Sequence, residues 1–162
     1  MQRMHSGAKR RLTQREVALG RIVFGDEIAW GRVRIAQAPP LGFGAMAPIA
    51  HWIIFSNWRA PLDFGDVSAH EQGWFVHELA HVWQSQQGMF LPALKLMALG
   101  KGAYAYKACK DAALRDYNIE RQAEIARHLW LARRGCADKA MPDRDWLEAV
   151  WAKRFKRRSP SA

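Results

Sequence analysis

The pentapeptide His77-Glu-Leu-Ala-His81 has the residue types and spacing of a hydrolytic metal site. On a helix, positions i and i+4 share a face, so both imidazoles can point at one ion. Glu78 is one residue on, about 100° around the helix, which sets its carboxylate beside that ion. There it can accept a proton from a metal-activated water. A catalytic zinc site needs a third protein ligand and an open position. Two carboxylates of a later helix qualify, Glu120 and Glu124 in Asn118-Ile-Glu-Arg-Gln-Ala-Glu124.

The spacing of that pair carries information of its own. Like charges at i and i+4 repel, so the pair gains from a cation or histidine nearby. With Glu120 on the metal, Glu124 one turn later can accept the Nδ1–H of His77 or His81 and strengthen that ligand. Ala123 on the same face leaves room for close helix approach. A second oxyanion donor would come from Tyr104, Tyr106, Tyr117, His70 or His128, among which sequence does not choose. Trp74 and Trp83 share the histidine helix as candidates for a substrate pocket, and Gln84 is assigned no catalytic part. The competing reading is a buried helix whose histidines are structural.

Local signals predict the elements that must position these residues. Thr13-Gln-Arg-Glu16 and Ser68-Ala-His-Glu71 are capping boxes, each opening a helix. The first helix stops at Gly25 and the second, with Phe75, Val76, Leu79, Val82 and Trp83 as its apolar surface, at Gly88. Residues 32–36 and His51 to Phe55 read as strands, with a Pro/Gly-rich loop at 38–48 between them. The second strand is either the candidate edge for pairing with an extended substrate or a central core strand. Residues 89–110 read as a short helix and a connection. Two further helices are expected, from about Tyr117 to Arg134 and from about Asp145 to Phe155. The order suggests an α+β fold, mainly helical with a small sheet.

Composition narrows the function classes. The 162 residues, 49% hydrophobic and 25% charged, suffice for one globular domain. The net charge of +10 is carried by the termini, because residues 1–15 and 153–162 each hold five basic residues and no acid. The organisation expected is a basic N-terminal tail at 1–11, a single domain at 12–152 and a basic C-terminal tail at 153–162. Such tails attract polyanions weakly and without specificity. Cys109 and Cys136 are too few for a disulfide framework, and two free, buried thiols are expected. No signal peptide is visible, and prolines and glycines break the longest uncharged run, Ile35 to Trp58, so no stable membrane insertion is expected.

HExxH followed by ExxxE on a later helix resembles the gluzincin metallopeptidases, and not the metzincins, in which a histidine would stand at 87 and a glycine at 84, both Gln here. Three stretches are similar to the metallopeptidase domain at the C-terminus of certain VgrG-type spike proteins of type VI secretion systems and related stand-alone proteins. They are Leu12-Thr-Gln-Arg-Glu-Val-Ala-Leu with Phe24-Gly-Asp-Glu-Ile, Phe75-Val-His-Glu-Leu-Ala-His-Val-Trp-Gln84, and Asp116-Tyr-Asn-Ile-Glu-Arg-Gln-Ala-Glu-Ile125. Leu79-Ala80 departs from the Met-Thr pair expected within the motif. The resemblance implies a zincin-like fold, its sheet packed over the active-site helix, with Zn2+ on His77, His81 and Glu120 and Glu78 as catalytic base. It further implies a peptide or protein substrate, a secretion-spike or immunity-protein partner, and an antibacterial role. The protein would then be cytoplasmic in its producer and delivered to a competitor's periplasm. Two alternatives keep the fold: a zinc-stabilised interaction domain without catalysis, and a DNA-associated zincin held by its basic tails.

Overall fold

The computed structural model describes residues 2–42, 44–91, 104–137 and 139–154. The fold is α+β. Strands β1 (Lys9–Arg11), β2 (Arg34–Gln37), β3 (Ala45–Ile49) and β4 (Trp52–Phe55) form a mixed sheet in the order β1-β2-β4-β3. β2 and β4 run parallel, and the two outer pairs are antiparallel. Among the described residues it is accompanied by the helices α1 (Gln14–Phe24), α2 (Ala69–Gln86), α3 (Ile119–Arg133) and α4 (Arg144–Ala152).

Both capping boxes form as their spacing requires: the Thr13 and Ser68 hydroxyls accept from the amides of Glu16 and Glu71, whose carboxylates reach back. Asn118 and Asp143 cap α3 and α4 without a reciprocal bond, their side chains accepting from the amides of Arg121 and Trp146. The strands alternate, so Ile35, Ile53 and Phe55 face the core. There Phe64 stacks on Phe75 of α2 with ring centroids 4.3 Å apart. Gly20 lets α1 lie close to α2, because a Cβ there would stand 2.4 Å from the Trp30 ring and 2.9 Å from Leu79.

Several expectations are revised. The stretch 38–48 is not all loop: β3 begins at Ala45 and pairs with β4 across an irregular register. As a result β4 has neighbours on both sides, and the sheet edge beside α2 is β3 rather than the strand at 51–55. Residues 1–11 are not a free tail. β1 pairs with β2, Met4 is buried in the core, and Arg10 grips the buried Glu16 through two bonds of 2.7 and 2.6 Å. Glu16 also accepts from the amides of Thr13 and Phe64, so one carboxylate fastens three segments. At the other end Arg154 pairs with Glu27, and residues 155–162 lie outside the described residues. The two thiols are free, but both are exposed, Cys109 in the segment before α3 and Cys136 just after it. Of the helix and connection expected at 89–110, residues 92–103 lie outside the described residues. No helix of the described residues is long and apolar enough to cross a membrane.

Candidate metal centre

α2 and α3 pack against each other, and their contact face is polar. His77, His81, Gln84, Glu120, Gln122, Glu124 and Arg127 are all buried there. The i, i+4 spacing puts His77 and His81 one turn apart on α2, their ring centroids separated by 5.1 Å. Both Nε2 atoms converge on one oxygen of Glu120, at 3.3 Å from His77 and 3.2 Å from His81. Glu120 sits in the first turn of α3, where the helix dipole favours a carboxylate.

The donor set fits a metal ion. Two nitrogen or oxygen ligands at about 2.0–2.1 Å from a tetrahedral ion stand roughly 3.3 Å apart, which matches the separations above. The ligand atoms of His77, His81 and Glu120 lie within 4.8 Å of one another. Glu78 lies beside them, largely buried, and its Oε2 has no hydrogen-bond partner among the described residues. A buried carboxylate oxygen left unpaired costs free energy unless something enters the site to use it.

The two histidines are held in different ways. His77 Nδ1 lies 3.1 Å from Glu124 Oε2, so the carboxylate one turn beyond Glu120 reaches His77 and not His81. Two more groups hold that carboxylate, and a third stands behind one of them. Arg127 donates to its other oxygen, His128 Nε2 lies 3.2 Å away, and the Tyr106 hydroxyl is 2.6 Å from His128 Nδ1. Burial alone would raise the Glu124 pKa, but the bonds from His128 and His77 and the Arg127 charge hold it well below the usual carboxylate range. For His77, burial favours the neutral ring, yet its bonds to Glu120 and Glu124 prevail and raise its pKa to about 9. An incoming ion must therefore displace a proton.

His81 instead bonds through Nδ1 to Gln84 Oε1 at 2.8 Å. The orientation of this amide is set by its other end, where Nε2 donates to the Ile119 carbonyl at 2.9 Å and to Gln122 at 3.0 Å. The sequence suggests for Gln84 a hydrogen bond near the site and no catalytic part, and the bond it makes is the one that supports His81.

The site opens on a cleft of about 480 Å³ lined by His77, Glu78, His81 and Glu120, with Trp74, Trp58, Phe55 and Tyr104 as aromatic walls and Gly44-Ala45 at the start of β3. Of the five candidate oxyanion donors, only Tyr104 lines this cleft, its ring centroid 5.8 Å from that of His77. Burial, then the charges of Glu120, Glu78 and Glu124, raise the Tyr104 pKa, so its hydroxyl keeps its proton. Tyr106 and His128 stand behind Glu124, Tyr117 donates to the Lys107 carbonyl, and His70 accepts from the Trp74 indole. Trp74 is 40% exposed on the cleft wall, whereas Trp83 is a core residue against Phe24 and Trp151.

No protein-family profile matches the chain. In an alignment of 134 positions that covers 76% of this chain, it is 34% identical to the type VI secretion system spike protein VgrG2b of Pseudomonas aeruginosa, and spans 13% of the length of that protein. The solved effector domain of Pseudomonas aeruginosa VgrG2b superposes with a TM-score of 0.66 and 27% identity, covering 94% of this chain and 87% of that one. In sequence and in fold alike, the chain is a homologue of the effector domain of VgrG2b.

Proposed function

We propose that the protein is a zinc-dependent peptidase of the gluzincin type, with a zincin-like fold, and acts as a type VI secretion effector. The observation that carries this reading is the convergence of His77, His81 and Glu120 beside the unpaired carboxylate oxygen of Glu78 at the floor of a cleft. Homology to a secretion-spike effector domain supports the effector role, with the spike as partner; the destination we assign to it is a competitor's periplasm. His77, His81 and Glu120 would hold the zinc, which when bound supplies Lewis acidity towards a water and a peptide carbonyl.

The remaining steps belong to the chain's own residues. Glu78 takes one proton from the attacking water as the water's oxygen bonds to the carbonyl carbon, and delivers that proton to the amine nitrogen as the C–N bond breaks. Tyr104 is placed to donate to the oxyanion that develops on the carbonyl oxygen. The free edge of β3 would pair with an extended peptide, bringing its backbone past Gly44 and Ala45 into the cleft. Glu124 and Gln84 orient the two imidazoles through their Nδ1 atoms, so that each Nε2 faces inward.

The test combines elemental mass spectrometry of the untagged protein with digestion of a peptide library. About one zinc per chain is expected for both wild type and Glu78→Gln, with hydrolysis lowered about 10²–10⁴-fold in the variant. No zinc after reconstitution at neutral pH would return His77 and His81 to structural residues. Zinc without hydrolysis would favour the interaction-domain reading, and an active Glu78→Gln would remove Glu78 as the base.

A further inference from the structure

The solvent side of the sheet carries a feature that the cleft chemistry does not use. Residues 1–15 and 28–62, which hold the four strands, contain eight lysines and arginines and no aspartate or glutamate, whereas the segment between them carries Glu16, Asp26 and Glu27. Arg3, Arg10 and Arg15 find carboxylates on other segments. Lys9, Arg11, Arg32 and Arg34 have no carboxylate partner among the described residues. The pairing register sets Arg11 opposite Arg34, and Arg34 opposite Trp52. Their neighbours Ile35 and Ile53 face the core, so this row lies on the outer face.

Like charges directly opposite each other destabilise a strand pair. Carbonyls of Gly31 and Val33, at 2.8 and 2.9 Å, fix the Arg34 guanidinium in place. The Lys9 ammonium stands 5.7 Å from the Trp52 ring centroid. Along the outer edge of β1 lies a second cavity of about 540 Å³, to which Arg3, His5, Lys9 and Arg10 contribute and no acidic residue does. The buried Nε of Arg10 has no hydrogen-bond partner among the described residues.

We propose that this face is a binding surface for single-stranded nucleic acid. Phosphates would seat on Lys9, Arg11 and Arg34 and at the mouth of the β1 cavity, with an unpaired base stacked at Trp52. Guanidinium groups suit phosphate oxygens, and a basic track beside an aromatic ring is how unpaired strands are held without sequence preference. As a phosphate draws the Lys9 ammonium away, the Trp52 face it covers becomes available to a base. A membrane surface suits the face less well, because Ala36, Ile54 and Met46 are half-buried and Leu62 at the β1 cavity is a lone exposed leucine among basic groups. The face shares no residue with the metal cleft, so the proposal stands or falls independently of peptidase activity.

The test is fluorescence anisotropy of the full chain with a labelled oligothymidylate of about fifteen nucleotides. Binding is expected at about 50 mM salt, with a log–log salt slope of roughly −2 to −3 for three or four phosphate contacts. Arg11→Gln with Arg34→Gln should weaken it more than tenfold while the melting temperature stays level or rises. Trp52→Ala should abolish the preference for single strand over duplex. Absence of binding at 50 mM salt, wild-type affinity in the double variant, or capture of phosphatidylglycerol vesicles but not the oligonucleotide would each overturn the proposal.

Discussion

α2 has two sides of opposite character. On one side Trp83 packs with Phe24 and Trp151, ring centroids 5.4–6.3 Å apart, and the polar edge of each indole has its own partner. Trp151 donates to the Val23 carbonyl and Trp83 to Glu27, while Trp130 nearby donates to the Leu19 carbonyl. On the other side, facing α3, two histidines, two glutamates, two glutamines and an arginine are buried together. The first side gains about 25 cal/mol for each Å² of apolar surface removed from water. The second must offset the desolvation of each charge with hydrogen bonds, and such clusters contribute little net stability. The contrast teaches that the apolar side holds α2 in place, and the polar side uses that rigidity to keep a charged site assembled.

The sharpest way to break the comparison is on the apolar side. Trp83→Ala should cost about 3–5 kcal/mol, a large share of the total stability of a domain this size, as read by urea denaturation. Zinc should not restore it. On the polar side, chelation should remove the stabilisation that bound metal provides, about 4 kcal/mol at a free zinc concentration a thousandfold above Kd. A scanning calorimeter would read this as a fall in Tm, and His77→Ala should abolish the zinc response while leaving the apolar side folded.

The comparison can then be sharpened within the polar side. Glu124→Ala should weaken zinc binding by about 10–100-fold in a chelator competition, because His77 loses a charged partner. Gln84→Ala should have the smaller effect, since His81 loses only a neutral amide; equal losses would erase the distinction between the two histidines. The smallest effect expected is at the α3–α4 surface. There the Arg133 hydrogen bond, more than the charges of Arg133 and Arg144, holds the Glu148 pKa below its ordinary 4.5. A carboxyl lowered in this way contributes stability above that ordinary value and loses it as pH falls through the folded one. The contribution is about 0.5 kcal/mol after solvent screening, so Glu148→Gln should slightly flatten the loss of Tm below pH 4.5.

How much of this could be read in advance depended on the range of the interaction. The helix starts at Thr13 and Ser68 were legible because a capping box closes within four residues. The histidine pair was legible because helical spacing alone puts both rings on one face. The glutamates at 120 and 124 were legible as a pair, since their repulsion calls for a partner. Which of them would meet which histidine was not, because that depends on how α3 lies across α2.

Other features gave no local signal at all. β1 reads as three basic residues in a row and becomes a strand because the register of β2, some twenty-five residues away, accepts it. Its tie to the body comes from Arg10 meeting a buried Glu16 whose other bonds reach Thr13 and Phe64. Trp74 and Trp83 lie nine residues apart on one helix, a spacing that turns them towards opposite surroundings, cleft and core, once the neighbours are in place. Sequence by itself determined the helices, their caps, and the chemistry of a histidine–glutamate–histidine face, because these rest on contacts within a turn or two of chain. Only the tertiary structure decided the sheet edge beside the cleft, the separate supports of the two imidazoles, and the acid-free outer face. Each of these is a pairing between distant segments, fixed by how the apolar core closes.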